Sequence, residues 1–296
     1  MKLTYAKRKK ILAIAFLIPA IIVFLVFIVY PIYITISLSF QNVRMISPNM
    51  TAQPFTLANY KRIFGNDAFW ESVGKTMVFT LVGTSISFVF GMFTALMLNK
   101  TFFGRVIARS MIMFAWPIPA IAVSIIFLWM LNADFGIINQ ILRGLGIAEK
   151  NVAWLIYPET AFWSVTIAAI WKAYPFFTLM ILAGLQNIPM ELYEASAIDG
   201  ATPVKQFFSI TLPGIVSISA VSILLNGIWF FKNFDIVYNM TGGGPVRSTE
   251  LLSLKLYIEG FQYSRMGVAS AIGVVSLLFC ILFILIAIPF MEKDFY

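Results

Sequence analysis

The stretch Glu194–Pro213, EASAIDGATPVKQFFSITLP, decides how the chain reads. It is polar and punctuated, and it lies between two long apolar runs. Glu194, Ala195 and Ser196 lead, Gly200 follows six residues after the Glu, and Ile210 comes ten after the Gly, just before Leu212 and Pro213. Asn187 can cap a helix whose first turn accepts Pro189. Leu192, Ala195 and Ile198 then recur on one face, with Glu191 and Glu194 elsewhere. Gly200 is a natural stop because it takes positive φ freely. Thr202-Pro203 restarts a helix as cap and first residue. Phe207, Phe208, Ile210 and Leu212 give that second helix an apolar side. The spacing therefore predicts a helix–Gly–helix hairpin over about 187–213, with Asp199 and Ala201 flanking its turn.

The rest of the chain says where such a hairpin lies. Of 296 residues, 60% are hydrophobic and 11% are charged, against about 25% charged in a soluble domain. The mean hydropathy is +0.89. The charges cluster between apolar runs, and a bilayer core of about 30 Å takes about 20 helical residues. Backbone groups in lipid must satisfy each other, so helices are expected, and the short alternating segments of a β-barrel do not occur. The fold class is an all-α polytopic membrane helix bundle, a single transmembrane domain over 1–296. About six spans can be marked, near 11–39, 76–98, 106–131, 160–185, 213–235 and 265–290.

Lys2, Lys7, Arg8, Lys9 and Lys10 precede the first apolar run. They hold the N-terminus in the cytoplasm rather than marking a nucleic-acid surface. The start imitates a signal peptide, with Ala13-Ile14-Ala15 as a mock cleavage site, but the apolar run continues to about Leu38, so it reads as an uncleaved span. Six spans put both termini on the cytoplasmic side and the hairpin there too. By this map ten Lys/Arg fall inside and nine outside, with Lys172 and Lys232 at membrane depth, accounting for all 21. The dense basic flank of the first span decides the orientation. The lone Cys280 excludes an intrachain disulfide, and the chain has no His, which removes the commonest metal ligand and general base. No metal site is expected.

Small residues at 195–197 allow a partner to approach closely, and a short amphipathic helix docks readily into a groove. A helix resting on lipid headgroups would instead carry Lys/Arg on its polar face, whereas this one offers Glu191, Glu194 and Asp199. The sequence ELYEASAIDGATPVKQFFSITLP resembles the coupling loop of permease subunits in bacterial ABC importers nearly throughout. Ser196 departs from the Ala that the family shows. The resemblance implies that the hairpin sits in a cleft of an ATPase subunit and moves when ATP closes the ATPase dimer. Glu194 and Gly200 are its most characteristic positions.

A second signature is Thr241-Gly242-Gly243-Gly244-Pro245 after Met240, with Ser248-Thr249-Glu250 following. Three glycines before a proline make a turn in any case. No Lys-Ser/Thr follows them, so this is not a phosphate loop. Within the family, TGGGP with a nearby ST after the fifth span resembles carbohydrate-importer permeases, of the class of the larger maltose-permease subunit and the glycerol-phosphate permease. The likeness spans roughly 10–292. It implies a second permease subunit as heterodimer partner, two ATPase subunits and an extracytoplasmic solute-binding protein. It also implies no cofactor on this chain, with ATP and Mg held by the ATPase.

Gly74-Lys75-Thr76 mimics the end of a phosphate loop, but position 69 is Phe and no strand precedes it. Asn49-Met50-Thr51 and Asn239-Met240-Thr241 fit a glycosylation pattern that recurs by chance. Lys172 lies deep in span 4 and is a candidate for the pathway or for a structural pair. In span 5, Asn226, Trp229, Phe230 and Asn233 combine aromatic faces with amides, which is how sugars are bound. Lys232 and Asp235 lie near that span's end. Trp116-Pro117-Ile118-Pro119 bends span 3. The chain thus reads as a sugar permease moving its substrate, an oligosaccharide, by alternating access. Two other classes compete: an ion-coupled secondary transporter, which commonly uses intramembrane acids or His, and a membrane enzyme. For the latter the sequence offers no HExxH, no pair of intramembrane Asp and no Ser/His pair.

Overall fold

The computed structural model describes residues 5–45 and 54–291. Lys2, Pro48, the Asn49-Met50-Thr51 triplet and Lys293 lie outside the described residues. All regular elements among the described residues are helical. Among the described residues, five apolar helical stretches are long enough to cross a membrane: Phe16–Ser39, Asp67–Asn99, Pro158–Gln186, Val216–Thr241 and Met266–Met291.

The chain divides into two compact units. The first holds Met1–Asn66 and Leu256–Leu277. Here α1 (Tyr5–Phe24) runs through one π turn into α2 (Tyr30–Ser39), and α3 (Ala58–Phe64) follows. Asn59 ties these together: its buried amide donates to Ser39 O at 3.0 Å and Gln41 O at 2.8 Å. Gly267 lies against Gln41 and Asn59 so closely that a Cβ would overlap both. That is why no larger residue suits the first turn of the last span.

The second unit holds Asp67–Lys255 and Leu278–Tyr296. Its spine is α4 (Asp67–Asn99) against α8 (Pro158–Gln186). Lipid tails are as apolar as Leu, so tight packing of small residues must hold such helices. A Cβ on Gly91 would overlap Phe177, one on Gly83 would overlap Phe230, and Gly184 sits under Ile218. Thr94 and Thr178 hydroxyls meet at 2.6 Å. Near the hairpin, Ala95, Leu98, Phe177, Ile181, Leu185 and Ile215 form one buried cluster.

The third span is not one helix. The expected span 106–131 resolves into α5 (Arg105–Met113) and α6 (Ala120–Met130), separated by Phe114–Pro119. Pro117 and Pro119 have no N–H to give and exclude helix from the residues before them. Span 5 is interrupted as well: α12 (Val216–Phe231) stops at Lys232, and α13 (Asp235–Thr241) begins three residues later. The second span begins earlier than the expected 76, because Glu71 and Lys75 pair at i,i+4 (3.5 Å) on a helical turn that precedes the apolar run. Between α6 and α8 lies α7 (Ile137–Gly144).

Candidate functional site

The hairpin forms as α9 (Met190–Ile198) followed by α10 (Pro203–Gln206), which continues through a π turn, Phe207–Thr211, into α11 (Leu212–Gly214). Gly200 has φ +76°. Its N–H reaches Ala197 O at 3.1 Å, and the next N–H, of Ala201, reaches Ser196 O at 2.9 Å. This paired closure satisfies two orphan carbonyls and requires a left-handed residue. Thr202 caps α10 by accepting from Lys205 N, with Pro203 in the first turn. Asn187, by contrast, does not cap α9. It ends α8 in a helical conformation, and Pro189 itself takes the cap position, because a proline bars helix from Ile188.

Ser196 is more than small. Its hydroxyl donates to Tyr193 O and accepts from Gln206 Nε2 at 2.9 Å, joining the two arms. Tyr193 OH meets the Thr211 hydroxyl at 2.9 Å. Leu192 and Ile210 pack on the buried cluster below. Phe207, Leu212 and Pro213 are half-buried, and so is Ala201. Ala195 and Ile198 do not share a buried face with Leu192. Ile198 is 88% exposed, Val204 66% and Phe208 61%. Glu191, Glu194, Ala195, Asp199 and Gly200 are exposed beside them. The arrangement is a stiff knuckle with an uncovered apolar surface and an acidic rim.

A cavity of about 320 Å³ lies where both broken spans meet α8. All five pathway candidates, Lys172, Asn226, Trp229, Phe230 and Asn233, line it, together with Trp116. Trp116, Phe176 and Trp229 form a chain of rings with centroid separations of 5.7 and 5.0 Å. Asn226 is buried and donates to Ser222 O. Lys172 donates to Trp116 O at 3.1 Å and also to Ile118 O. It thereby satisfies carbonyls in the non-helical break between α5 and α6, and it stands in the cavity wall at the same time.

At the other end of α13 the glycine signature is a folded turn. Gly242 and Gly243 have φ +59° and +93°, and the Gly244–Pro245 peptide is cis. The Thr241 hydroxyl meets that of Thr249 at 2.6 Å, and Thr249 Oγ1 also bonds Gly244 O at 2.9 Å. Beyond it, Val246 and Arg247 have positive φ. Glu250 holds the turn. It accepts from Arg247 Nε at 3.0 Å and from Arg247 Nη2 at 2.9 Å, from Lys255 Nζ at 3.0 Å and from Ser72 Oγ at 3.3 Å. Burial pushes the Glu250 carboxyl up, but the hydrogen bonds and charges of Arg247 and Lys255 outweigh it and hold the group below its ordinary 4.5. Lys75 donates to Arg247 O at 2.9 Å, and Thr76 Oγ1 accepts from Leu252 N at 2.8 Å. The false phosphate loop Gly74-Lys75-Thr76 is therefore interior helix that anchors this turn.

Residues 87–290 match the protein family described as binding-protein-dependent transport system inner membrane component. The chain belongs to this family. The permease is 36% identical to the trehalose/maltose transport system permease protein MalF of Thermococcus litoralis, over 96% of its own length and 94% of the relative's. It is 34% identical to the sulfoquinovosyl glycerol transport system permease protein SmoG of Agrobacterium fabrum, over 90% and 85% of the two chains. In fold it matches a bacterial ABC transporter involved in import of the acidic polysaccharide alginate, with a TM-score of 0.82 over 98% of both chains at 22% identity. A related structure, of the alginate transporter with a pentasaccharide-bound periplasmic protein, gives 0.82 over 95% and 93%. The permease is a polytopic inner-membrane subunit and not an enzyme; ATP hydrolysis falls to a separate ATPase subunit. The matches lend no support to an ion-coupled transporter.

Sequence reasoning missed two parts of the permease's site. Trp116 falls outside the sequence-derived pathway candidates, although the Trp-Pro-x-Pro order was a signal for an aromatic beside a broken helix. Arg247 and Lys255 were counted only among the nine outside Lys/Arg. Glu250 between them, in a chain with 13 acids, was the available clue to a buried cluster.

Proposed function

We propose that the permease forms one half of the channel of an ATP-driven, binding-protein-dependent carbohydrate importer, with an oligosaccharide as its substrate. The observation that carries this reading is the cavity at the two helix breaks. Its size lies in the range of small-molecule sites, and it sets indole and phenyl faces beside the amides of Asn226 and Asn233. Sugars have apolar faces and polar edges, so this pairing of groups suits them. The names of the relatives point the same way. A second, similar permease completes the channel, one of two ATPase subunits docks on the Glu194–Pro213 knuckle, and an extracytoplasmic binding protein delivers the sugar near Thr241–Pro245. Both termini lie in the cytoplasm. ATP and Mg are held by the ATPase, and this chain takes no cofactor or metal.

In this mechanism closure of the ATPase dimer pushes the knuckle. The push reaches the bundle through Leu192, Ile210 and the half-buried residues that follow, and the helices open outward. The breaks in spans 3 and 5 are where such a movement can be absorbed without unpairing long helices.

The test is purification of the tagged chain from its native membrane in mild detergent, followed by ATPase assays across a panel of sugars. The expected result is a complex with an ATPase and a second permease, stimulated by particular sugars in the presence of the binding protein. A lone chain, under conditions that keep a known importer whole, would overturn the reading.

A further inference from the structure

The end of the second unit opposite the knuckle carries a folded loop that transport, as described, does not use. It joins α6 to α8 and contains α7. Asn139, 2% exposed, staples it. Its Nδ2 donates to Asn132 O, Ala133 O and Val152 O at 3.0–3.3 Å, and its Oδ1 accepts from Val152 N and Trp154 Nε1 at 3.0–3.1 Å. Gly136 sits so tightly on Asn132 and Met130 carbonyls that a Cβ would overlap them. Gly146, at φ +70°, closes α7 with the same paired bonds seen at Gly200.

This rigid loop displays apolar side chains that it cannot tuck away. Ile137, Ile141 and Leu145 recur every four residues and so form one stripe. Phe135 and Ile147 extend it at either end, and Leu145 and Ile147 are each 69% exposed. The adjoining exposed edge of α7 is polar, with Gln140 and Arg143.

We propose that α7 is an in-plane membrane anchor, seated at the headgroup level of the leaflet opposite the knuckle, with its Ile137–Leu145 stripe turned into the lipid. Three observations carry this. First, both ends of the loop are tied to apolar helices. Phe135 lies five residues beyond the end of α6 at Met130, a reach of at most about 18 Å, and Tyr157 leads directly into α8. Second, the ends of the two helices that the loop joins are also exposed and aromatic. Trp129 at the end of α6 and Tyr157 and Trp163 at the start of α8 are all exposed, as in the aromatic belt at a membrane boundary. Third, one apolar edge beside one polar edge is the pattern of a helix lying flat, its apolar side sunk roughly 5–10 Å. A soluble partner would meet a surface with more polar groups mixed in. The inference rests on the membrane placement of α6 and α8 and not on which sugar is carried.

The test uses the whole transporter with its partner subunits in phosphatidylethanolamine–phosphatidylglycerol nanodiscs. In a Cys280→Ala background, single cysteines replace Ile141, Leu145 and Ile147, with Gln140 and Arg143 as references, and each carries a nitroxide. The proposal requires collisions with oxygen to exceed those with a water-soluble nickel chelate at the first three positions, and the reverse at the references. Nickel-dominated contact at all five would place the stripe in water and overturn it. Low contact with both reagents at 141, 145 and 147 would mean that a protein covers the stripe, and would overturn it equally. If a labelled variant does not assemble, a membrane-dissolved carbene reagent on the unaltered transporter decides: label within 135–147 supports the anchor, and its absence there, with label on α6, refutes it.

Discussion

The turn after α13 and the knuckle after α8 are both polar segments between spans, yet they are held in opposite ways. The turn closes on itself. Glu250 gathers Arg247, Lys255 and Ser72, and hydroxyls of Thr76, Thr241 and Thr249 take up the backbone. The knuckle has two closed glycine-turn bonds and the Ser196 staple, while its large apolar side chains Ile198, Val204 and Phe208 stay open. The first segment satisfies most of its own polar groups, Ser248 Oγ being the exception among the described residues. The second keeps surface in reserve, which is stable only when something else covers it. The two regions should therefore fail differently when damaged, the turn by loss of stability and the knuckle by loss of coupling.

The strongest test of that contrast is Glu250→Ala. It leaves Lys255 buried without its partner, which costs about 3–5 kcal/mol for a group of this kind. The melting temperature of the purified complex should fall more than for any knuckle variant, and an unchanged melt would refute the structural role of the cluster. Acid should act in the same direction. Because the folded-state pKa of Glu250 lies below its ordinary 4.5, its contribution is complete above that value and is lost as pH falls through the lowered one. Melting measured down a pH series should show an acid-side loss in the wild type that is smaller in Glu250→Gln.

Gly200→Ala comes next. Nothing lies within 4 Å of the added Cβ, so the penalty is the left-handed backbone alone, about 1–2 kcal/mol. Uptake should be abolished while membrane insertion and the melting curve of the bundle stay near wild type. Glu194→Ala should give the same uptake result with less effect on stability, and normal uptake in both variants would sink the coupling role. Ser196→Ala should be mildest. It removes one staple of about 1 kcal/mol and introduces the residue the family motif carries, so uptake should persist with a slightly lower melt. Loss of uptake there would show that the staple, not the exposed surface, carries the coupling.

What the sequence disclosed about these regions followed how local their causes are. Gly200 and Thr202-Pro203 were legible because a positive φ and a cap are decided within four residues. The apolar runs were legible because lipid imposes length. Asn187 misled because Pro189 two positions on overrides a cap, a conflict that position-by-position propensity does not weigh. The break in span 3 read only as a bend, since its carbonyls depend on Lys172, 56 residues away from Trp116. The break at Lys232–Phe234 was hidden because the carbonyl of Asn233 is taken up by Ser253, twenty residues on; the Arg247–Glu250–Lys255 pairing is local, and only its burial was not legible. Asn226, Trp229, Phe230 and Asn233 were picked out by their chemistry, aromatic rings beside amides, although no periodicity marked which way they face.

The link from Lys172 to the proline-broken segment also bears on how the chain is made. The helix α6 has 11 residues and rises only about 16 Å, roughly half the hydrocarbon thickness, so span 3 can cross only with the proline-broken segment and α5 included. Trp116 and Ile118 leave the ribosome long before the lysine that takes up their carbonyls. Until then the nascent segment must stay near the insertion machinery or other polar company, and only the arrival of α8 finishes it. Spans 3 and 4 should in that sense behave as one unit of biogenesis, and a chain truncated before Lys172 should hold span 3 in the membrane less firmly than one that includes α8.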